Sequence, residues 1–217
     1  MANKLTTNSI ITPELTLCYP DLFTPRAAEG SSVLKYSCTA VFPKGTDLSA
    51  LKNLAREALR AKWPNGAPTN LFNPFRDGDT DAKPEWGEVF KGSIFIRFIS
   101  YANFKDGSPR PAPSVFDRSC RRITDAAAIY PGMKARAYVC AQGYDNQTKG
   151  IRFLLNQIQI VADGERLGVD PNVPAFDSVA GADSPNDLFD SAPAPSPAAV
   201  PNAAGSAPAG GYVDPFA

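Results

Sequence analysis

The sequence has 217 residues, with 22 Lys and Arg, 22 Asp and Glu, and no histidine. Without an imidazole there is no His-based triad, no His general base and no mixed Cys/His zinc site. The formal net charge of zero conceals a split: all 22 basic residues and 16 of the acids lie at or before Arg166, a net +6, and the last six acids make the remainder −6. A basic body points to a polyanionic partner, and an acidic tail to regulation or recruitment.

No run approaches the roughly 18 apolar residues of a membrane span, since Arg97 interrupts Ile94–Ile99. The N-terminus carries no signal-like apolar stretch, so a cytosolic setting is expected. Cys18, Cys38, Cys120 and Cys140 form no CxxC pair and read as small apolar groups rather than metal ligands.

In chain order, Leu15–Tyr19 reads as a short strand stopped by Pro20. Leu34–Phe42 alternates, with Leu34, Tyr36, Cys38, Ala40 and Phe42 on one face and Lys35, Ser37 and Thr39 on the other. Thr46 or Asp47 caps a predicted helix to about Trp63, whose Leu48, Leu51, Leu54, Ala55, Ala58 and Leu59 recur at helical spacing. Lys52, Arg56 and Arg60 form its solvent face. Residues 64–87 read as a loop rich in Pro, Gly, Asn and Asp, and 104–130 as irregular. Three more strands are predicted over about Val89–Tyr101, Lys134–Ala141 and Ile151–Val161, the last two joined by a hairpin connection at Gln142–Gly150. Five or so strands with one inserted amphipathic helix suggest a small antiparallel barrel.

The strand at 134–141 places Lys134, Arg136 and Tyr138 on one face and Met133, Ala135, Ala137 and Val139 on the other. Arg97 and Tyr101 share a parity one strand earlier, followed by Phe104, Lys105 and Arg110; Tyr144, Arg152 and Phe153 come later. Cations interleaved with rings suit single-stranded nucleic acid, where cations meet phosphates and rings stack on bases at about 1–3 kcal/mol each.

Asp77, Asp79, Asp81 and Glu88 fall at positions 1, 3, 5 and 12 of a calcium loop, but Ala82 holds the place that requires Gly. The carboxylates lie in one Gly- and Pro-broken loop with no second cluster to complete a metal-dependent nuclease site. No metal, cofactor, small-molecule substrate or catalysis is expected.

From Leu167 onward, 31 of 51 residues are Ala, Pro, Gly or Ser, a composition that reads as disordered. Apolar islands at Pro174–Asp177, Asp187–Asp190 and Tyr212–Ala217 read as short docking motifs, with Phe189, Tyr212 and Phe216 as their aromatic anchors.

The segments Phe95–Asp106, Tyr130–Tyr138, Gly143-Tyr144 and Gly150–Ile160, together with the tract Phe75-Arg-Asp-Gly-Asp79, resemble bacteriophage single-stranded-DNA-binding proteins, and more distantly the T7-type protein. The resemblance covers roughly residues 10–166. It implies a mainly β fold: an OB-fold-like antiparallel barrel over 1–166 with one inserted amphipathic helix, and a disordered acidic C-terminal tail over 167–217. It implies a non-enzymatic protein of the host cytoplasm that coats single-stranded DNA in phage replication and recombination. Phage or host replication proteins would be the tail's partners. Lys35, Arg97, Tyr101, Lys134, Arg136 and Tyr144 match the groove pattern in kind, with Phe104, Lys105, Tyr138 and Arg152 beside them. The T7-type tail is densely acidic and ends in Asp-Phe, whereas this one ends Asp214-Pro-Phe-Ala217, which implies weaker mimicry of DNA. A strand-annealing mediator, a virion structural protein whose barrel is only a scaffold, and a metal-dependent nuclease are the competing readings.

Overall fold

The computed structural model divides into two units, Met1–Asp170 and Pro171–Ala217, and describes residues 8–83 and 87–168, all in the first. Phe189, Tyr212, Phe216 and the expected tail disorder lie outside the described residues. In chain order the strands are β1 (Ser9–Ile11), β2 (Leu15–Ala27), β3 (Leu34–Pro43), β4 (Leu71–Phe72), β5 (Arg76–Asp77), β6 (Ser93–Tyr101), β7 (Ser114–Phe116), β8 (Lys134–Asp145) and β9 (Lys149–Ala162), with one α-helix, α1 (Ser49–Lys62).

Five long strands close a ring. β2 pairs with β3, β3 with β6, β9 with β8 and β8 with β2, all antiparallel, while β6 runs parallel to β9. Counting only these five, the order around the ring is 1-2-3-5-4-1. This is a closed OB-like barrel with the helix inserted between its second and third strands. Closure leaves the long strands without bare edges.

Alternation along each strand builds the interior. Cys38, Ala40 and Phe42 of β3 meet Ile96 and Phe98 of β6, the alanines of β8, and Phe153, Leu155 and Ile158 of β9 in one buried cluster. The α1 residues Leu51, Leu54, Ala55 and Ala58 are buried in the same cluster. Its N-cap is Leu48 rather than the expected Thr46 or Asp47, with no side-chain cap; the Asp47 carboxylate accepts from the Ser49 amide at 2.9 Å just ahead of the helix. Helix and barrel approach closely at Gly143, where an added Cβ would lie 2.5 Å from Lys62 Cβ.

Several boundaries differ from expectation. Pro20 does not stop its strand: β2 continues to Ala27, and the register shifts between Cys18 and Asp21, with Tyr19 at φ +47°. At such a bulge the ladder is already interrupted, so the missing proline N–H costs nothing. The expected Val89–Tyr101 strand begins only at Ser93, because Glu88–Phe90 forms a 3₁₀ turn closed by the Lys91 amide on the Glu88 carbonyl. Phe90 is thereby buried edge-on against Phe95, with ring centres 5.2 Å apart. Loop 64–87 contains β4 and β5, and the irregular stretch contains β7 and a 3₁₀ turn at Ala126–Ala128. Gln142–Gly150 is mostly strand: β8 and β9 stay paired up to Asp145 and Lys149.

Order also runs past Arg166. The Leu167 amide donates to the Pro131 carbonyl, the Arg166 guanidinium lies 4.0 Å from the Tyr130 ring centre, and the Tyr130 hydroxyl donates to Asp163. Gly132, at φ +109°, permits this: a Cβ there would sit 1.7 Å from the Glu165 carbonyl oxygen.

Candidate nucleic-acid interface

On the outer face of the barrel, β3 and β6 present their second parity. Register pairs Lys35 with Tyr101, Ser37 with Ile99, Thr39 with Arg97 and Val41 with Phe95. β9 adds Arg152, and its partner strand adds Gln142 and Tyr144. The Arg152 guanidinium lies 5.3 Å from the Tyr101 ring centre and 5.0 Å from that of Tyr144, and its Nε donates to Gln142 Oε1 at 3.1 Å. Lys35 Nζ stands 5.6 Å from the Tyr101 ring centre, and Arg97 donates to Ser37 Oγ at 3.2 Å.

Among the described residues, none of Lys35, Arg97 and Arg152 is ion-paired, although Lys44, Arg76, Arg26, Arg121, Lys149 and Lys91 all are. Burial pushes the Lys35 pKa below its usual value, and the neighbouring Arg97 and Arg152 charges push it the same way. Three cations, none of them in an ion pair among the described residues, leave a positive field for an anion to neutralise; the acid that lines the adjoining cleft, Asp21, is paired to Arg26 at 2.7 Å.

A cleft of about 510 Å³ runs beside this cluster, lined by Arg97, Tyr144 and Arg152 and by residues the sequence reading passed over: Tyr19, Phe72 and Arg76. Tyr19 is half exposed and stacks on Phe90 at 6.4 Å and 23°. Its left-handed backbone turns the ring onto the outer face at the β2 bulge. The Arg76 guanidinium lies 5.5 Å from the Phe72 ring centre and 5.9 Å from that of Phe95. The sequence signals for these three were weak: Tyr19 precedes a proline, and Phe72 and Arg76 fall in strands of two residues.

The remaining candidates sit elsewhere. Phe104 and Lys105 are exposed on a short hairpin bridged at Asn103 and Pro109, and Arg110 lies 5.5 Å from the Phe104 ring centre. Lys134 lies at the seam of β2 and β8 and donates to Thr16 Oγ1 at 2.8 Å. Arg136 and Tyr138 face outward as expected, but toward β1 and β7, bordering a different pocket. The single basic face expected from sequence is therefore two clusters on one barrel.

The acidic loop is satisfied internally. Lys44 Nζ bridges Asp77 and Asp79 at 2.8 and 2.6 Å, Arg76 pairs with Asp81 at 2.8 Å, and Asp79 also accepts from the Gly92 amide. These bonds hold the three carboxyls below their ordinary pKa, the Lys44 contact dominating at Asp77 and Asp79 and the Arg76 contact at Asp81. No described helix is long and apolar enough to cross a membrane.

The family model described as the single-stranded-DNA-binding protein of Enterobacter phage Enc34 matches residues 8–189. The chain belongs to that family. Protein p50 of Acyrthosiphon pisum secondary endosymbiont phage 1 is 26% identical over 181 residues, spanning 77% of this chain and 91% of that one. Among solved structures, the Enc34 single-stranded-DNA-binding protein in complex with single-stranded DNA aligns with TM-score 0.59 at 23% identity, covering 74% of this chain and 89% of that one. Gp2.5, the single-stranded-DNA-binding protein encoded by bacteriophage T7, aligns with TM-score 0.54 at 15% identity over 78% and 99%. The Enc34 family fold is thus the OB-like barrel described above, with the T7 protein sharing it at lower sequence identity.

Proposed function

We propose that this protein binds single-stranded DNA with little sequence preference, laying the strand across the outer face of β3, β6 and β9. The observation that carries this reading is the trio Lys35, Arg97 and Arg152, none ion-paired among the described residues: Lys35 and Arg152 lie against the Tyr101 ring, Arg152 also against Tyr144, and Arg97 donates to Ser37 on the same face. Phosphates meet the cations and unstacked bases meet the rings, neither of which depends on base identity. Membership of the Enc34 family supports it. The work is coating and protecting exposed strands during phage DNA replication and recombination in the host cytoplasm, without catalysis.

The acidic segment beyond Gly168 competes with DNA for the basic face and recruits phage or host replication proteins through Phe189, Tyr212 and Phe216. Phe216→Ala then spares DNA binding and reduces partner pull-down; unchanged pull-down contradicts the recruiting role. Equilibrium titration with oligo-dT and with duplex of equal length tests the main reading. Single strands bind more tightly, because paired bases cannot stack on the rings, and duplex preferred at every salt concentration contradicts it.

A further inference from the structure

The second cluster forms a pocket of its own. Register sets Ile11 beside Tyr138, Tyr138 beside Gln157, and Arg136 beside Gln159, while β7 brings Phe116 to Gln159 from the other side. The turn after β7 folds over this floor: Gln159 Nε2 donates to the Asp117 and Arg118 carbonyls at 3.3 and 3.4 Å. The Asp117 carboxylate holds that turn by accepting from the Ser119 and Arg121 amides and by pairing with Arg121 at 2.9 Å. Arg118, Arg122 and Arg136 have no ion pair among the described residues, and all three are exposed. The Tyr138 ring is 39% exposed at the same place.

The pocket is open to solvent on one side and has a volume of about 220 Å³. That is below the roughly 300–1,000 Å³ of sites for drug-sized ligands. It suits one flat base belonging to a strand held elsewhere. Tyr138 offers a stacking face, Gln157 an exposed amide for a base edge, and Arg136 on the pocket wall a place for phosphate, with Arg118 and Arg122 on the neighbouring turn. Tyr138 lies four residues along β8 from Gln142 in the first cluster, about 14 Å at strand rise. The hairpin carrying Phe104 and Arg110 leaves the end of β6 after Tyr101 and is tied back to it by the Arg110 amide donating to the Ala102 carbonyl.

We propose that the pocket between β7, β8 and β9 is a second nucleotide site, occupied by the same single strand after it leaves the first groove past Arg110 and Phe104. The site rests on the single-strand reading above and adds to it a strand path wrapping part of the barrel. Short oligonucleotides fill the first groove alone, and longer ones reach both.

The test is titration of the full chain with oligo-dT of about 5 and about 16 nucleotides, lengths near the two ends of the range seen for one OB-fold. Arg136→Ala and Tyr138→Ala remove exposed side chains, and Tyr101→Ala reports on the first groove; circular dichroism checks that each variant is folded. Tyr138→Ala and Arg136→Ala are expected to weaken the long oligonucleotide about fivefold or more and leave the short one unchanged, while Tyr101→Ala weakens both. If the β8 variants bind both lengths like wild type, the second site is overturned and the first groove stands. If they weaken both lengths equally, the pocket belongs to the primary groove and the two-site path is overturned. If Tyr101→Ala changes neither length, the first-groove reading itself fails.

Discussion

The Arg152 guanidinium is held between the rings of Tyr101 and Tyr144, donating to the Tyr101 hydroxyl and lying 5.3 and 5.0 Å from the two ring centres. The arrangement fixes a positive charge beside two aromatic rings without neutralising it. Tyr101→Ala is expected to cost single-strand affinity about 1–3 kcal/mol with an unchanged salt slope, since stacking releases no counterions. Tyr101→Phe, which keeps the ring, is expected to lose less. Fluorescence titration at several salt concentrations checks both, and wild-type affinity in Tyr101→Ala would move base stacking off this face.

Lys35 gives a pH signature. Its folded pKa lies below the ordinary 10.5 because of burial and then the Arg97 and Arg152 charges. Between the two values the folded state holds fewer protons than the unfolded chain, so this group's contribution to stability grows as pH rises through that window. A phosphate beside Lys35 favours the ammonium and returns the pKa upward. Binding at alkaline pH is therefore expected to take up protons, read by calorimetry in buffers of differing ionisation enthalpy. Lys35→Ala is expected to abolish the uptake; identical uptake in that variant would place the linked proton elsewhere.

Gly132 tests the anchoring of the last described residues. Gly132→Ala places a methyl 1.7 Å from the Glu165 carbonyl and at a φ of +109°. The 163–167 segment must detach or the turn before β8 must shift, a loss of roughly 2–4 kcal/mol. A thermal melt unchanged from wild type would show that the segment contributes nothing to stability.

Period-two alternation made the barrel legible from sequence. The β3, β6 and β8 faces follow from it, including Lys35 on the outer side of β3 and Arg97 with Tyr101 on one side of β6, while helical spacing marked the buried face of α1. Alternation reports which side of a strand a residue takes, but not how far around a closed barrel it sits. Arg136 and Arg152 therefore read as neighbours although β8 carries Arg136 to the β7 side. Strands of two or three residues, such as β1, β4 and β5, are too short to show a period. Tyr19 was hidden by Pro20, which reads as a strand stop in sequence and sits at a bulge in the fold.

The acidic segment is expected to compete with DNA. Residues 169–217 carry all six late acids and no base, and tethering holds them at an effective concentration of about millimolar near the basic body. A cut after Gly168 preserves the Leu167 bond to Pro131. The truncated protein is expected to bind DNA more tightly, most visibly at low salt, with a weaker preference for single strands over duplex. Equal low-salt affinity before and after truncation would contradict the competition.

Salt dependence of oligo-dT binding tests the central claim most directly. Each phosphate neutralised contributes a slope of about −0.7 in log K against log salt for single strands. Lys35, Arg97 and Arg152 together imply about −2, and contacts beyond the first groove carry the total toward about −4. The triple variant Lys35→Ala, Arg97→Ala, Arg152→Ala is expected to stay folded and to lose about 2 of that slope along with most of the affinity. A flat salt response in the wild type, or a triple variant with the wild-type slope, would contradict the assignment of this face to single-stranded DNA.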